Sequence, residues 1–241
     1  MAVLVDAHRG ASATHPENTV AAFRAASTAG ADSVELDLHL SRDGVAVVIH
    51  DATVERTTDG RGAVVDMALA ELRALDAGAW KGDGHAGERI PTLDEALDVL
   101  AGWALVNLEL KAEDPRLVEI VVRAVAARGL ERHVRVASFH LAHLVAVKAL
   151  LPALPTHYLL KGPLPGELLA DNGRWIDSLG VAWRRIDAGL LAEAAHRGRT
   201  VWAWTVDDPD EAVRLARLGV VAVTTNDPAT VGAALGRAGL R

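Results

Sequence analysis

Val34-Glu35-Leu36-Asp37-Leu38-His39 decides how this chain is read: an apolar run interrupted at every second position by an acid or a histidine. Strand side chains alternate faces with a period of two, so Glu35 and Asp37 project the same way. In a parallel sheet covered on both faces, two such carboxylates are costly unless something compensates them. A bound divalent cation is the compensation this spacing suggests.

Upstream of that stretch, Val3-Leu4-Val5 predicts a buried strand ending at Asp6-Ala7-His8-Arg9-Gly10, and a helix follows over 21–26 until Gly30 stops it. Downstream, Ser41-Arg42-Asp43-Gly44 is a turn, and Val45-Ala46-Val47-Val48-Ile49 reads as a hairpin return that delivers His50-Asp51 to a loop. From Thr53 to about Pro91 the pattern breaks into turns with one short helix at 68–75, the signature of an insertion. Thr92 restarts regular structure as an N-cap, with Glu95 as its capping-box partner. Strands are then predicted at 104–110, 134–137, 156–160, 180–183, 200–204 and 220–224, with helices at 116–127, 141–150, 190–197 and 211–218. Leaving out the hairpin strand, this makes eight strands in strand–helix order. Alternation without a glycine-rich nucleotide fingerprint favours an α/β fold closed as a parallel barrel over an open doubly wound sheet. The expected organisation is one domain over 1–241 with a small insertion at about 41–91.

Composition narrows the function. Half of the 241 residues are apolar, which excludes a disordered or fibrous chain. A net charge of −7 argues against nucleic acid as a partner, so an anionic ligand must be met by a local positive patch or a metal. Cysteine is absent, which rules out thiolate metal sites. No signal peptide is visible, and no apolar run approaches the ~20 residues a membrane span needs. The expectation is a soluble, cytoplasmic protein without stable membrane insertion; its oligomeric state is not legible.

In a parallel barrel the C-terminal strand ends carry the site. Here the first strand end offers His8 and Arg9, the second Glu35 and Asp37, and the strand at 104–110 offers Glu109 and Lys111, again two apart; the loop after the hairpin adds His50. Three carboxylates without a soft ligand suit a hard cation, Ca²⁺ or Mg²⁺, with Mn²⁺ as a further candidate. Two histidines beside it suit acid–base work near neutral pH, and Arg9 and Lys111 suit a phosphate. Together these describe phosphodiester hydrolysis. The competing reading makes Glu35 with Arg9, or Glu109 with Lys111, structural ion pairs at the barrel mouth. Trp202 and Trp204 alternate with alanine and point the same way, Trp204 as a pocket wall and Trp202 as core packing. His39, two residues past Asp37, is a further candidate for the metal, with a place facing the insertion as the favoured reading. The remaining histidines at 15, 85, 133, 140, 143, 157 and 196 read as surface or packing residues.

His8-Arg9-Gly10, Pro16-Glu17-Asn18-Thr19, Glu35-Leu36-Asp37, His50-Asp51, Arg56-Thr57-Thr58-Asp59-Gly60, Pro91-Thr92-Leu93, Glu109-Leu110-Lys111, Ser138-Phe139 and Trp204-Thr205-Val206 closely resemble the signature of glycerophosphodiester phosphodiesterases. The resemblance runs over nearly the whole chain. It implies a TIM (β/α)8 barrel with a small insertion after the second strand, His8 and His50 as the acid–base pair, and Glu35, Asp37 and Glu109 holding one divalent metal. Arg9 and Lys111 would contact the phosphate, Glu17 and Asn18 would shape the first loop, and the products would be an alcohol and sn-glycerol 3-phosphate. Ser41, His15 and His140 depart from the usual pattern; His140 bears on the pocket for the alcohol. An alternative keeps the site but makes the substrate a lysophospholipid or sphingolipid, as in related phospholipase D-like barrels. A third reading is a phosphate-binding barrel without turnover, against which the two intact histidines stand.

Overall fold

The computed structural model describes residues 2–162 and 173–241. Its strands are β1 (Leu4–His8), β2 (Ser33–Leu40), β3 (Ala46–Val48), β4 (Leu105–Leu110), β5 (Val134–Ser138), β6 (Thr156–Leu160), β7 (Ser178–Ala182), β8 (Thr200–Trp204) and β9 (Ala222–Thr225). All except β3 run parallel in the order β1-β9-β8-β7-β6-β5-β4-β2, and the pairing of β1 with β2 closes the ring. The result is an eight-stranded parallel barrel ringed by helices, the TIM-barrel architecture expected from the alternation. β3 is the hairpin return, antiparallel to β2 with Leu38 opposite Val48.

Alternation along β2 sorts the two faces of the barrel wall. Val34, Leu36 and Leu38 are fully buried against the helices, in a cluster with Phe23, Leu97 and Leu100. A second cluster around Val5, Leu179, Val181 and Leu215 does the same for the other half of the barrel. Each such leucine removed from water contributes about 1.5–3 kcal/mol, so the wall is held from outside and its inner face is free to carry polar groups. Asp6, Ser33, Asn107, His157 and Thr224 use that freedom and are all buried.

The helices are α1 (Val20–Thr28), α2 (Leu69–Ala74), α3 (Leu93–Leu100), α4 (Arg116–Arg128), α5 (Leu141–Leu150), α6 (Ala188–His196), α7 (Pro209–Leu218) and α8 (Pro228–Arg237). The capping box at the start of α3 is present: Glu95 N donates to Thr92 Oγ1 at 3.2 Å, and Thr92 N donates to Glu95 Oε2 at 2.8 Å. Asp187, Asp208 and Asp227 cap α6, α7 and α8 by side-chain acceptance from the first-turn backbone alone, each cap worth about 1 kcal/mol. Between β3 and α3 the chain is mostly turns and single-turn helices packed on a small core of its own, built from Val47, Ile49, Val54, Val64, Leu72, Ala77 and Ile90.

Three boundaries differ from the sequence reading. β1 extends through His8 because its backbone pairs with both β2 and β9. β7 occupies Ser178–Ala182 rather than 180–183, since Trp183 already turns into a 3-10 helix. β9 spans Ala222–Thr225 and thereby reaches the site end of the barrel. Among the described residues no helix is long and apolar enough to cross a membrane.

Candidate active site

Register brings the acids together. His8 on β1 lies beside Glu35 on β2, Glu35 beside Asn107 on β4, and Asp37 beside Glu109. Neighbours in a parallel register share a face, so all of these side chains point into the barrel. One carboxylate oxygen each from Glu35, Asp37 and Glu109 lies within 4.8 Å of the other two.

Two cations offset part of this charge. Lys111 Nζ sits 2.5 Å from Glu109 Oε1 and 3.2 Å from Asp37 Oδ1. Arg9 Nε lies 3.1 Å from Asp37 Oδ2, and Arg9 Nη1 donates to Glu17 Oε1 at 2.7 Å. Asn18 Nδ2 also donates to Asp37 Oδ2, at 2.8 Å. Asp37 is therefore well compensated: burial works against its charge, but Lys111 and Arg9 hold it below the usual carboxylate range. Glu35 is not. Its Oε2 accepts from the backbone N of Arg9 at 3.0 Å, while its Oε1 is buried without a partner. Burial, and then the charges of Asp37 and Glu109, push Glu35 well above the usual range. Burial and Asp37 likewise raise Glu109, to about 7 despite Lys111. An orphaned carboxylate oxygen in a set of hard oxygen donors, with more negative charge than its two cations cancel, fits a divalent metal ion. The ion-pair reading of Glu109 with Lys111 is met in the geometry; that of Glu35 with Arg9 is replaced by Arg9 pairing with Glu17 and Asp37.

Backbone conformation delivers these groups. Arg9 and Asn18 both have φ of 59°, a left-handed conformation uncommon for residues other than glycine. Arg9 N also donates to Glu35 O at 2.9 Å, and Asn18 N donates to Arg9 O at 3.0 Å, so the loop after β1 is clamped to β2. Gly10 makes the turn: its φ is 83°, and a Cβ there would lie 2.6 Å from the Ala22 carbonyl carbon.

The two imidazoles are oriented from opposite sides. His8 Nδ1 lies 2.7 Å from Asn226 Oδ1, in the loop after β9. Asn226 Nδ2 donates to Asp207 Oδ2 at 2.7 Å, so the amide oxygen faces His8 and assigns the imidazole proton to Nδ1. His8 Nε2, 4.0 Å from Glu35 Oε2, is left as the free nitrogen facing the acids. Burial and the neighbouring Arg9 charge lower the His8 pKa to about 4. His50 Nδ1 is 2.6 Å from Asp51 Oδ1, and Arg56 Nε donates to Asp51 Oδ2 at 2.6 Å. Hydrogen bonds from Arg56 first, then from His50, outweigh partial burial and hold Asp51 at about 2, a carboxylate that accepts the His50 Nδ1 proton. Arg56 also grips both Glu17 oxygens, so one chain of charges runs from His50 through Asp51, Arg56, Glu17 and Arg9 to Asp37. His39 Nε2 meets His50 O at 3.1 Å, in line with its expected place against the inserted segment.

These groups open onto a cavity of about 490 Å³ lined by His8, Arg9, Glu35, His50, Glu109, Lys111 and Trp204; Asp37 lies beneath the lining, fully buried. Trp204 stands edge-on to Phe139, with centroids 5.9 Å apart. Trp202 packs below, against His157 and under the Arg135 guanidinium. His157 corrects the sequence reading: it lines the cavity although buried, and its Nδ1 meets Ser178 Oγ at 2.8 Å, while His140 lines the cavity at an exposed position, where the family resemblance places it, near the alcohol. Lys161 and Phe139 line it too. Lys161 directly follows β6, the same kind of strand-end position as Lys111, and that position was the available signal. Asn226 and Asp207 carried no such signal, and Arg56 stood in a stretch of the family signature without a role assigned to it.

A closed parallel barrel whose C-terminal mouth gathers acids, imidazoles and cations around one cavity has the architecture of an enzyme. Residues 8–230 match the model of the glycerophosphoryl diester phosphodiesterase family, and the chain belongs to that family. It is 38% identical over 237 residues to a glycerophosphodiester phosphodiesterase of Caldanaerobacter subterraneus subsp. tengcongensis, covering 96% of this chain and 97% of the relative. Among solved structures, it resembles an Oleispira antarctica phosphodiesterase in complex with the product sn-glycerol-3-phosphate, with a TM-score of 0.88, 34% identity and coverage of 97% and 96%. A glycerophosphodiester phosphodiesterase from Agrobacterium tumefaciens gives a TM-score of 0.84 at 31% identity, over 96% of this chain and 99% of that one.

Proposed function

We propose that this enzyme hydrolyses glycerophosphodiesters to an alcohol and sn-glycerol 3-phosphate, with His8 and His50 as the acid–base pair. The observation that carries the reading is the convergence of three carboxylates within 4.8 Å of one another in a cavity that two separately oriented imidazoles line. Glu35, Asp37 and Glu109 would hold one divalent ion, Ca²⁺ or Mg²⁺, whose charge polarises the phosphoryl oxygens when bound. Arg9 and Lys111 steady the anionic diester from the same side of the cavity. His8 is neutral at physiological pH and presents its free Nε2, so it takes the proton from the attacking nucleophile, water in a direct displacement, as that oxygen bonds to phosphorus and the bond from phosphorus to the alcohol oxygen breaks. His50, whose Nδ1 proton is engaged by Asp51, presents its other nitrogen to the cavity and gives a proton to the departing alcohol oxygen. Trp204 forms a wall of the pocket. The whole of 1–241 acts as one domain, with the segment at about 41–91 supplying His50, Asp51 and Arg56.

Exposed large hydrophobics among the described residues are Val65, Trp80, Leu105 and Leu150, spread over four separate segments. That distribution favours a water-soluble diester over a lysophospholipid held at a membrane. The test is release of sn-glycerol 3-phosphate from glycerophosphodiesters in the presence of Ca²⁺ or Mg²⁺. His8→Ala and His50→Ala are each expected to lower turnover by about 10²-fold or more while the proteins remain folded. Parental turnover by either variant would overturn its assigned role.

A further inference from the structure

Phe139, Lys161, His140 and Trp204 form a further part of the cavity wall. Lys161 Nζ lies over the Phe139 ring, 4.4 Å from its centroid, and Lys111 Nζ approaches the same ring at 5.9 Å. The two ammonium groups therefore lie within about 10 Å of one another and share one aromatic ring. Lys111 is spoken for by Asp37 and Glu109. Lys161 has no carboxylate partner among the described residues, and of the acids that line the cavity, Glu35 and Glu109, the second is held by Lys111. Trp204 meets Phe139 edge-on, so the two aromatics brace one another rather than forming an open cage.

Binding a quaternary ammonium requires aromatic faces open to a ligand cation. Here the Phe139 face already carries a lysine, and a second cation placed on it would meet like charge. An arm ending in a negative group would instead find an ammonium that has no carboxylate partner among the described residues, within about 10 Å of Lys111 Nζ. Building on the reading above, we infer that Phe139 and Lys161 form the subsite for the organic arm of the diester, and that Lys161 selects arms with an anionic end over arms with a cationic one. The enzyme then belongs downstream of reactions that strip acyl chains from anionic rather than choline-bearing lipids.

The test compares three diesters of sn-glycerol 3-phosphate at low ionic strength with saturating divalent metal: a choline arm, a glycerol arm, and a glycerol arm ending in a phosphomonoester. The parent enzyme is expected to favour the phosphorylated arm over choline by about tenfold in kcat/KM. Attraction of the anionic arm and repulsion of the cationic one at the exposed Lys161 ammonium together supply a factor of this size, and added salt should erode it. Lys161→Gln should collapse the ratio toward one, and Lys161→Glu should invert it. A purely structural role for Lys161 would lower both rates together and leave the ratio unchanged, which would overturn the inference, as would a parental ratio within twofold of one. Hydrolysis of none of the three would overturn the glycerophosphodiesterase reading itself, and this inference with it.

Discussion

Asn226→Ala is the substitution that most sharply separates an oriented imidazole from one that is merely present. Asn226 Oδ1 receives His8 Nδ1 at 2.7 Å and Ser12 Oγ at 2.8 Å, and Asp207 fixes the amide by accepting from both Asn226 N and Nδ2 at 2.7 Å. Removing the amide leaves the His8 Nδ1 proton without its acceptor and frees the ring to take the other tautomer, with the proton on the nitrogen that has to act as base. A part-buried group left unsatisfied costs about 1–3 kcal/mol. Applied to the productive orientation of His8, that corresponds to about 5- to 150-fold in kcat. KM should move much less, because Asn226 is not part of the cavity lining. Steady-state hydrolysis of a glycerophosphodiester, with thermal unfolding to confirm folding, reads both quantities. A folded variant with parental kcat would refute the claim that Asn226 sets the His8 tautomer.

Gly10→Ala places a Cβ 2.6 Å from the Ala22 backbone at a φ of 83°, so strain and overpacking together are expected to lower unfolding stability by about 2–4 kcal/mol; a denaturant midpoint equal to the parent's would contradict it. Asp177 lies 2.7 Å from Lys148 Nζ and accepts from Thr156 N at 2.7 Å. Burial tends to raise its pKa, but Lys148 and Thr156 lower it on balance, so its stabilising effect is complete above the unfolded value near 3.9 and is lost as pH falls through the folded value. With the side chain 45% exposed, screening limits the effect to about 0.5–1 kcal/mol. Asp177→Asn should therefore be less stable than the parent by that amount at pH 7, with the difference shrinking as pH falls through the folded value, whereas a pH-independent difference would sink the assignment.

What the sequence made legible depended on how local the signal was. The period-two spacing of Glu35 and Asp37, repeated by Glu109 and Lys111, follows from strand geometry, so the acids and their shared face could be read directly. Alternation of strand and helix carried the closed barrel, because apolar residues on the outer wall repeat wherever a helix covers it. Loop conformation was less accessible: nothing about Arg9 or Asn18 as residue types announces a φ of 59°. The groups that orient the catalytic candidates were hidden for a different reason. Asn226 reaches His8 across 218 positions of chain, and Arg56 reaches Glu17 across 39, contacts that exist only once the ring has closed. His157 and Lys161 likewise gain meaning only from the cavity that they share with distant strands.

Calorimetric titration of the metal-free protein with Ca²⁺ or Mg²⁺ bears most directly on the central claim that the three acids form one cation site. The expected result is a single binding event per chain that Glu35→Gln weakens tenfold or more, since the orphaned Oε1 is the donor with nothing else to satisfy it. No binding by the parent, or equal binding by the variant, would contradict it.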